Sequence, residues 1–303
     1  MNYLLHLIAL FDIYVIVALS LNILVGYCGL LSLAHAGYFA VGAYVYALAV
    51  ITLGWGFISS ALLGMAVGAG LSIMLSLASW RFRGEFFVLI ALSVQSVLYS
   101  TVYNWHKVGG PDAEFGTWSN MTNGPFGIPG VSKPIIAGFE FGTPQTTVLL
   151  FTIIAVTLLI LSRHLLLSPW GNLLKAMRDD ELAARGIGKN VRLAKVQAIA
   201  LACALAALAG VMYASLVNFV DPSIADLPEA ILMISMVIVG GVGNSFRGPF
   251  VGALVMIALP ELLRFLEVPG SLSGQLRLAV YGLLLVLLMH FRPQGLAGEY
   301  RMQ

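Results

Sequence analysis

The sequence has few charged side chains, since Asp, Glu, Lys and Arg together make up only 10% of its 303 residues. A soluble domain usually carries about a quarter. Hydrophobic residues make up 59% of the chain, so too little polar surface is available to face water on all sides. The composition therefore excludes an ordinary soluble domain and predicts a chain whose natural solvent is lipid.

Cysteine is also scarce, and a nucleotide-phosphate motif is missing. Cys28 and Cys203 both lie in apolar segments, so they predict small buried residues rather than a disulfide framework or a metal cluster. No G-x-x-x-x-G-K-[ST] loop occurs, which excludes a fused ATPase of that kind. The net charge of +2 is too small to favour nucleic acid. No residue pattern predicts a catalytic or a metal site.

Basic residues are missing from the start of the chain, where no lysine or arginine precedes Arg81. The first 25 residues are apolar. A secretory signal peptide has a basic n-region and a small-residue cleavage site, and neither is present here. We therefore interpret this segment as a retained membrane span.

Apolar stretches long enough to cross about 30 Å of hydrocarbon recur along the chain. They predict an all-α polytopic membrane protein with eight to ten transmembrane helices in a single domain over residues 1–303. The second and seventh stretches are rich in glycine, so either could be a broken or re-entrant helix. The nine expected spans are 4–25, 35–53, 57–78, 86–105, 146–167, 193–220, 228–242, 249–266 and 276–290.

Lysine and arginine are distributed unequally between the expected loops, and this asymmetry predicts the orientation. Twelve lie on one side of the nine-span arrangement, whereas Lys107, Lys133 and Arg277 lie on the other. We interpret the richer side as cytoplasmic, which places the C-terminus in the cytoplasm and the N-terminus outside. A re-entrant second span would move only the N-terminus to the cytoplasmic side.

A basic loop covers residues 168–192 on the expected cytoplasmic side. Pro169 is well placed to begin a short helix and Gly186 to end one, and apolar residues recur between them at helical spacing. A short amphipathic helix of this kind can lie in a groove on a partner protein. It can equally rest on the membrane surface with its basic side chains toward lipid phosphates. The residues alone favour neither interpretation.

A long loop over residues 106–145 lies on the expected external side. Glycine and proline alternate with apolar residues in its middle, which is typical of tight turns. The same segment is an equally reasonable surface for a substrate-loaded binding protein. The candidate docking residues are Asn123, Gly124, Pro125, Phe126 and Gly127.

Several polar residues fall within the expected spans, where such groups are costly and mark a transport path or join helices. The candidate path residues are Ser32, His35, Gln95 and Asn218. Joining helices is the better interpretation of each one singly, although some of the set are expected to line the path. Asp12, in the first span, is the main feature that favours a different class of protein, an ion-coupled secondary carrier.

The basic loop resembles the EAA-type coupling loop of ABC importer permeases, which has a Glu-Ala-Ala-like core followed by a glycine. The matching residues are Glu181, Ala183, Ala184 and Gly186, and Asp179-Asp180-Glu181 stands where relatives often have Glu-Asn-Glu. The resemblance implies that the loop docks on an ATPase. Gly171, Lys175, Arg178 and Asp179 complete the candidate coupling residues.

The resemblance covers essentially the whole chain. Segments 26–36, 83–84, 123–130, 240–249 and 291–296 resemble, in order and spacing, the LivM-type permeases of branched-chain amino acid ABC importers. Such a permease pairs with a LivH-like permease, two cytoplasmic ATPases and a periplasmic binding protein in the bacterial inner membrane. ATP and Mg would be bound by the ATPases, so the resemblance implies neither a cofactor nor an enzymatic activity in this chain.

The expected cargo is a branched-chain or another hydrophobic amino acid. A urea or amide importer permease of the same family is an alternative. The ion-coupled carrier that works without ATPases is the alternative from another class.

Overall fold

The structure is a computed structural model. It describes residues 2–82, 84–106, 116, 120–136, 138–244, 246–264, 279, 282–283, 286–287, 290 and 294–298. Most of the ninth expected span and the first residues of the segment 291–296 lie outside the described residues.

The described ranges are mainly helical. Their helices are α1 (Asn2–Asn22), α2 (His35–Leu53), α3 (Phe57–Leu71), α4 (Ile73–Arg81), α5 (Glu85–Asn104), α6 (Pro144–Leu167), α7 (Pro169–Asp179), α8 (Glu181–Gly186), α9 (Val191–Val217), α10 (Leu227–Gly240) and α11 (Arg247–Arg264). Among the described residues, six stretches are long and apolar enough to cross a membrane: Asn2–Cys28, His35–Leu53, Phe57–Arg81, Glu85–Asn104, Pro144–Leu167 and Val191–Val217. The predicted all-α polytopic membrane fold is confirmed.

Two expected spans differ in detail. The third is divided at Ser72, whose hydroxyl donates to the carbonyl of Ala69 at 2.5 Å. Such a bond back to the preceding turn bends helices. The seventh, α10, has only 14 residues, which gives a length of about 21 Å. It is therefore too short to cross the hydrocarbon alone.

A widened turn closes the first span. Helix α1 continues into a π-helical segment, Ile23–Cys28, which ends at Gly29 with a φ of 70°. The left-handed conformation suits glycine because a Cβ there would be strained. The chain then runs without helix to α2, so the π segment and the turn after it redirect the chain between the two helices.

The core is built on a close crossing of α2 and α9. A Cβ added to Gly42 would overlap the carbonyl oxygen of Ala207, and one added to Gly210 would overlap that of Phe39. Small residues allow membrane helices to approach at backbone distance, which increases dispersion contact and replaces the hydrophobic effect that lipid cannot supply. Helices α1 and α3 also pack against α9, so α9 is the central helix of the described bundle.

The two ends of the bundle are built differently. One end carries α7 and α8, and we call it the helical end. The other, the strand end, has the short strands β1 (Ile128–Pro129), β2 (Ile135–Ile136), β3 (Phe139–Glu140) and β4 (Phe219–Val220). β1 pairs with β4 and β2 with β3, both antiparallel. The expected external loop is thus tied to the end of α9 by a pairing that the sequence pattern did not predict.

Candidate coupling site and transport path

The basic loop folds into two helices rather than the single one that its pattern predicts. Ser168 caps α7 by accepting the N–H of Trp170 at 3.2 Å. Asp180 is extended, with a φ of −153°, and its side chain accepts the N–H groups of Leu182 and Ala183 at 2.8 and 3.0 Å. A cap in the middle of the loop ends one helix and begins the next. The predicted start at Pro169 and end at Gly186 are both confirmed.

The cations of α7 contact the chain's own first span. The Arg178 Nη1 donates to the carbonyl of Gly26 at 2.5 Å, and its Nη2 lies 3.0 Å from the Asp179 carboxylate. The Lys175 ammonium lies 5.2 Å from the centroid of the Tyr27 ring, within cation–π range. Gly26 and Tyr27 belong to the π segment, so these side chains fix α7 to the end of α1.

The apolar face of the loop is also turned inward. Leu174, Met177 and Ala184 are buried, and Gly171 is packed so closely that a Cβ would overlap the carbonyl oxygen of Leu166. This face holds only part of the amphipathic stripe that the sequence predicts, since Leu182 and Ala183 are exposed. Its partner in the structure is the rest of this chain.

Glu181 is enclosed within the protein. Its side chain is 8% exposed, and its Oε2 lies 2.8 Å from the Nζ of Lys195, which is 5% exposed. Lys195 also donates to the carbonyl of Ser79 at 3.3 Å, and Arg185 pairs with the other carboxylate oxygen. Removal of one partner of such a buried pair leaves the other charge buried and unpaired, which destabilises the fold. The sequence-predicted coupling residue Glu181 therefore ties α8 to α4 and α9.

The outer face of α8 exposes large apolar side chains. Leu182 is 69% exposed and Ile187 is 72% exposed, and the candidate residues Ala183 and Gly186 lie exposed between them. Within the described part of the chain, neither large side chain is covered by the protein. Leu182 and Ile187 were not among the predicted site residues, although their positions off the Met177–Ala184 face of the helical pattern could have indicated them.

Three of the four candidate path residues lie around the start of α2. The Gln95 Oε1 accepts the N–H of Gly37 at 2.6 Å, and its Nε2 donates to the carbonyl of Ala225. The Ser32 hydroxyl accepts a backbone N–H two residues on at 3.3 Å. His35 is 1% exposed, and within the described part of the chain neither ring nitrogen has a hydrogen-bond partner.

The fourth candidate, Asn218, lies apart at the strand end. It follows α9 with a φ of 60°. Its Nδ2 donates to the carbonyl of Val131 at 2.7 Å, and its own carbonyl accepts the N–H of Val131 at 3.3 Å. Its contacts join the external segment to the end of α9.

The candidate docking segment forms successive tight turns. Asn123 has a φ of 58°, and its Nδ2 donates to the carbonyl of Gly127 at 2.8 Å. Gly124 and Gly127 are buried, whereas Pro125 and Phe126 are exposed, Phe126 by 55%. The segment is therefore a rigid turn that presents one aromatic ring at the strand end.

Asp12, the residue that favoured a secondary carrier, has a partner within the bundle. It is 6% exposed, and the Thr152 hydroxyl donates to its Oδ2 at 2.7 Å. The contact joins α1 to α6. Among the described residues, no group of three or more His, Cys, Asp or Glu side chains is placed to hold a metal ion.

Comparison with known proteins identifies the family of this chain. The sequence profile of the family described as branched-chain amino acid transport system / permease component matches residues 3–289. No solved structure matches the chain significantly.

Curated relatives agree with the family match. The chain is 28% identical to the high-affinity branched-chain amino acid transport system permease protein LivM of Escherichia coli and 29% identical to that of Salmonella typhimurium, over 96% of this chain and 69% of each relative. It is 25% identical to a probable LivM of Methanocaldococcus jannaschii, over 95% of this chain and 91% of the relative. With its membrane-spanning helices and its two short helices at one end of the bundle, the chain belongs to the permease component family of branched-chain amino acid transport systems.

Proposed function

We propose that this chain is one of two permeases of an ATP-driven importer in the bacterial inner membrane. It pairs with a LivH-like permease, receives substrate from a periplasmic binding protein, and is moved by two cytoplasmic ATPases that bind and hydrolyse ATP with Mg. The chain carries no part of the hydrolysis. Its branched-chain or other hydrophobic amino acid substrate is proposed from the names of its relatives.

The arrangement of α8 carries this proposal. Leu182 on its outer face and Ile187 directly after it are exposed, while its inner face is bonded through Glu181 to Lys195 of α9 and, through Lys195, to Ser79 of α4. A partner that moves α8 therefore moves two membrane helices. The ATPase dimer shifts the permease between its two access states only because it binds one of them more tightly.

The helical end is the cytoplasmic side in this proposal. The basic residues of the loop favour that side, and the same assignment places the C-terminus in the cytoplasm. The turn with Phe126 at the strand end is then external and is proposed to contact the binding protein. Ser32, His35 and Gln95, around the start of α2, are proposed polar groups of the path.

The decisive experiment truncates the exposed face of α8 without touching its buried side. Leu182→Ala and Ile187→Ala are expected to reduce ATPase co-purification and ATP-driven uptake at least tenfold, because burial of a Leu or Ile side chain contributes about 1.5–3 kcal/mol. Leu193→Ala is the matched control, since Leu193 is 53% exposed at the start of α9 and lies outside the segment 181–187. Unchanged co-purification and uptake in both α8 variants would contradict the proposal.

Asp12 separates the importer from an ion-coupled carrier. Asp12→Asn retains a group that can accept the Thr152 hydroxyl, so the importer is expected to keep its ATP-dependent uptake. A secondary carrier would lose uptake with this variant and would work without ATPases.

The substrate alternatives need a separate experiment. Comparison of leucine uptake with urea uptake, in vesicles that contain the complete importer, distinguishes an amino acid importer from a urea importer.

A further inference from the structure

A cationic cavity lies at the helical end, beside the segment that joins α6 to α7. Its volume is about 530 Å³, and its lining includes Arg163 of α6, Lys175 of α7 and Arg247 of α11. The lining contains no carboxylate among the described residues, and no ion pair in the described part of the chain involves these three cations. Lys175 also lies over the Tyr27 ring, but none of the three cations has a carboxylate partner among the described residues, and this favours an anion.

In the orientation proposed above, the cavity is expected at the level of lipid headgroups. Arg163 is in the last turns of α6, a membrane-spanning helix that ends at Leu167, and Arg247 is the first residue of α11. Cations at the ends of spans lie at the level of the lipid phosphates. The amino end of α11 adds the positive end of its helix dipole to the same site.

An apolar surface continues from the cavity toward the middle of the membrane. Ile160 and Leu161 on α6 are 53% and 63% exposed, and Phe250 and Leu254 on α11 are 41% and 50% exposed. Between these helices α1 fills the gap, because its Val15 packs with side chains of α6 and α11 in one buried cluster. A ligand that fits both regions has an anionic head and a hydrocarbon chain.

We propose that this cavity binds the phosphate group of an anionic phospholipid, with an acyl chain lying along α6 and α11. The cations supply the charge, and Lys175 connects the site to coupling helix α7. The proposal goes beyond the transport function, because it concerns a lipid that is retained rather than a substrate that is moved. It does not depend on which amino acid is the substrate.

Native mass spectrometry of the purified transporter complex tests the proposal. The complex is titrated with dioleoyl-phosphatidylglycerol, with dioleoyl-phosphatidylcholine, and with inorganic phosphate. We expect retention of phosphatidylglycerol well above phosphatidylcholine. The double variant Arg163→Gln/Arg247→Gln is expected to weaken this retention about 25-fold, since each Lys or Arg near an anionic lipid contributes about fivefold. Arg163→Lys/Arg247→Lys should restore it.

The matched control is Arg81→Gln/Lys189→Gln, which removes the same charge from exposed positions outside the cavity. An equal loss in the two double variants would overturn the site, because only general surface charge would then matter. Equal retention of the two lipids would also overturn it. Displacement of phosphatidylglycerol by millimolar inorganic phosphate would overturn the lipid as the source of the phosphate group.

Discussion

Helices α2 and α11 begin in the same way in the two halves of the chain. Each follows a glycine-containing turn, and each turn region is held by a buried amide side chain that both accepts and donates. Gln95 accepts from Gly37 of α2 and donates to the carbonyl of Ala225. Asn22 accepts from Gly243, before α11, and donates to the carbonyl of Asn244 at 2.7 Å. Asn22 thus holds two backbone groups of the turn before α11, whereas Gln95 joins the start of α2 to the turn before α10.

The two helices differ in what surrounds them. Both carry a glycine pressed against a neighbouring carbonyl, Gly42 against Ala207 and Gly252 against Met236. Yet α2 is buried along nearly its whole length, whereas α11 has Phe250 and Leu254 exposed on one side. A glycine-containing turn held by a buried amide side chain therefore precedes both a core helix and a peripheral one. The peripheral helix has room to shift.

The largest expected effect comes from filling the glycine contacts. Gly42→Ala should lower the free energy of unfolding by about 3 kcal/mol or more, because α2 cannot move away from α9, and Gly252→Ala by about 1 kcal/mol. Gly70→Ala is the control, since a Cβ there meets nothing within 4 Å. Thermal midpoints in detergent measure all three, and equal losses for Gly42 and Gly252 would break the distinction between core and peripheral helix.

A smaller effect is expected from the amides. Gln95→Leu should cost about 2 kcal/mol, because it leaves the carbonyl of Ala225 unpaired and the N–H of Gly37 with only its bond to the carbonyl of Ala34. Asn22→Leu should cost about 1 kcal/mol, because the acceptor at Asn244 is only partly buried. The exposed amide of Asn104 provides the control Asn104→Leu. The same thermal measurement applies, and a larger loss for Asn22 than for Gln95 would reverse the comparison.

The smallest effect concerns the turn before α2. Gly29 and Gly54 have φ values of 70° and 64°, so replacement of either by alanine should cost about 1 kcal/mol through the left-handed backbone. A Cβ on Gly29 would also lie 2.8 Å from the Cγ of Arg178, whereas one on Gly54 meets nothing within 4 Å. Only Gly29→Ala should therefore change ATPase co-purification. An equal change in ATPase co-purification with Gly54→Ala would show that the contact between Gly29 and Arg178 does not affect the coupling segment.

The sequence predicts the spans well because hydrophobic length is a local property. The second span was predicted as 35–53 and α2 covers His35–Leu53, while the third begins at Phe57 as expected. The ends of the basic loop were also predicted, since proline and glycine act on the residues beside them. Its division at Asp180 was not predicted, although a capping aspartate can end one helix and begin another.

The partners of the polar residues could not be predicted from the sequence. Glu181 meets Lys195 and Gln95 meets Gly37, at separations of 14 and 58 residues. Such pairs depend on how helices cross, and helical periodicity within one segment does not contain that information. For the same reason, the family resemblance that marked Glu181 as a coupling residue did not indicate that its carboxylate faces inward.

The buried pair of Glu181 and Lys195 has a consequence for the order in which the protein is made. Glu181 leaves the ribosome before Lys195. Burial of its carboxylate is unfavourable until the Lys195 ammonium is available to pair with it. Helix α8 can therefore seat only after the start of α9 has been synthesised and placed at the membrane. The exposed surface of α8 would thus be complete only once α9, the central helix of the bundle, has begun to insert. A partly synthesised permease would therefore not yet present this surface to a partner.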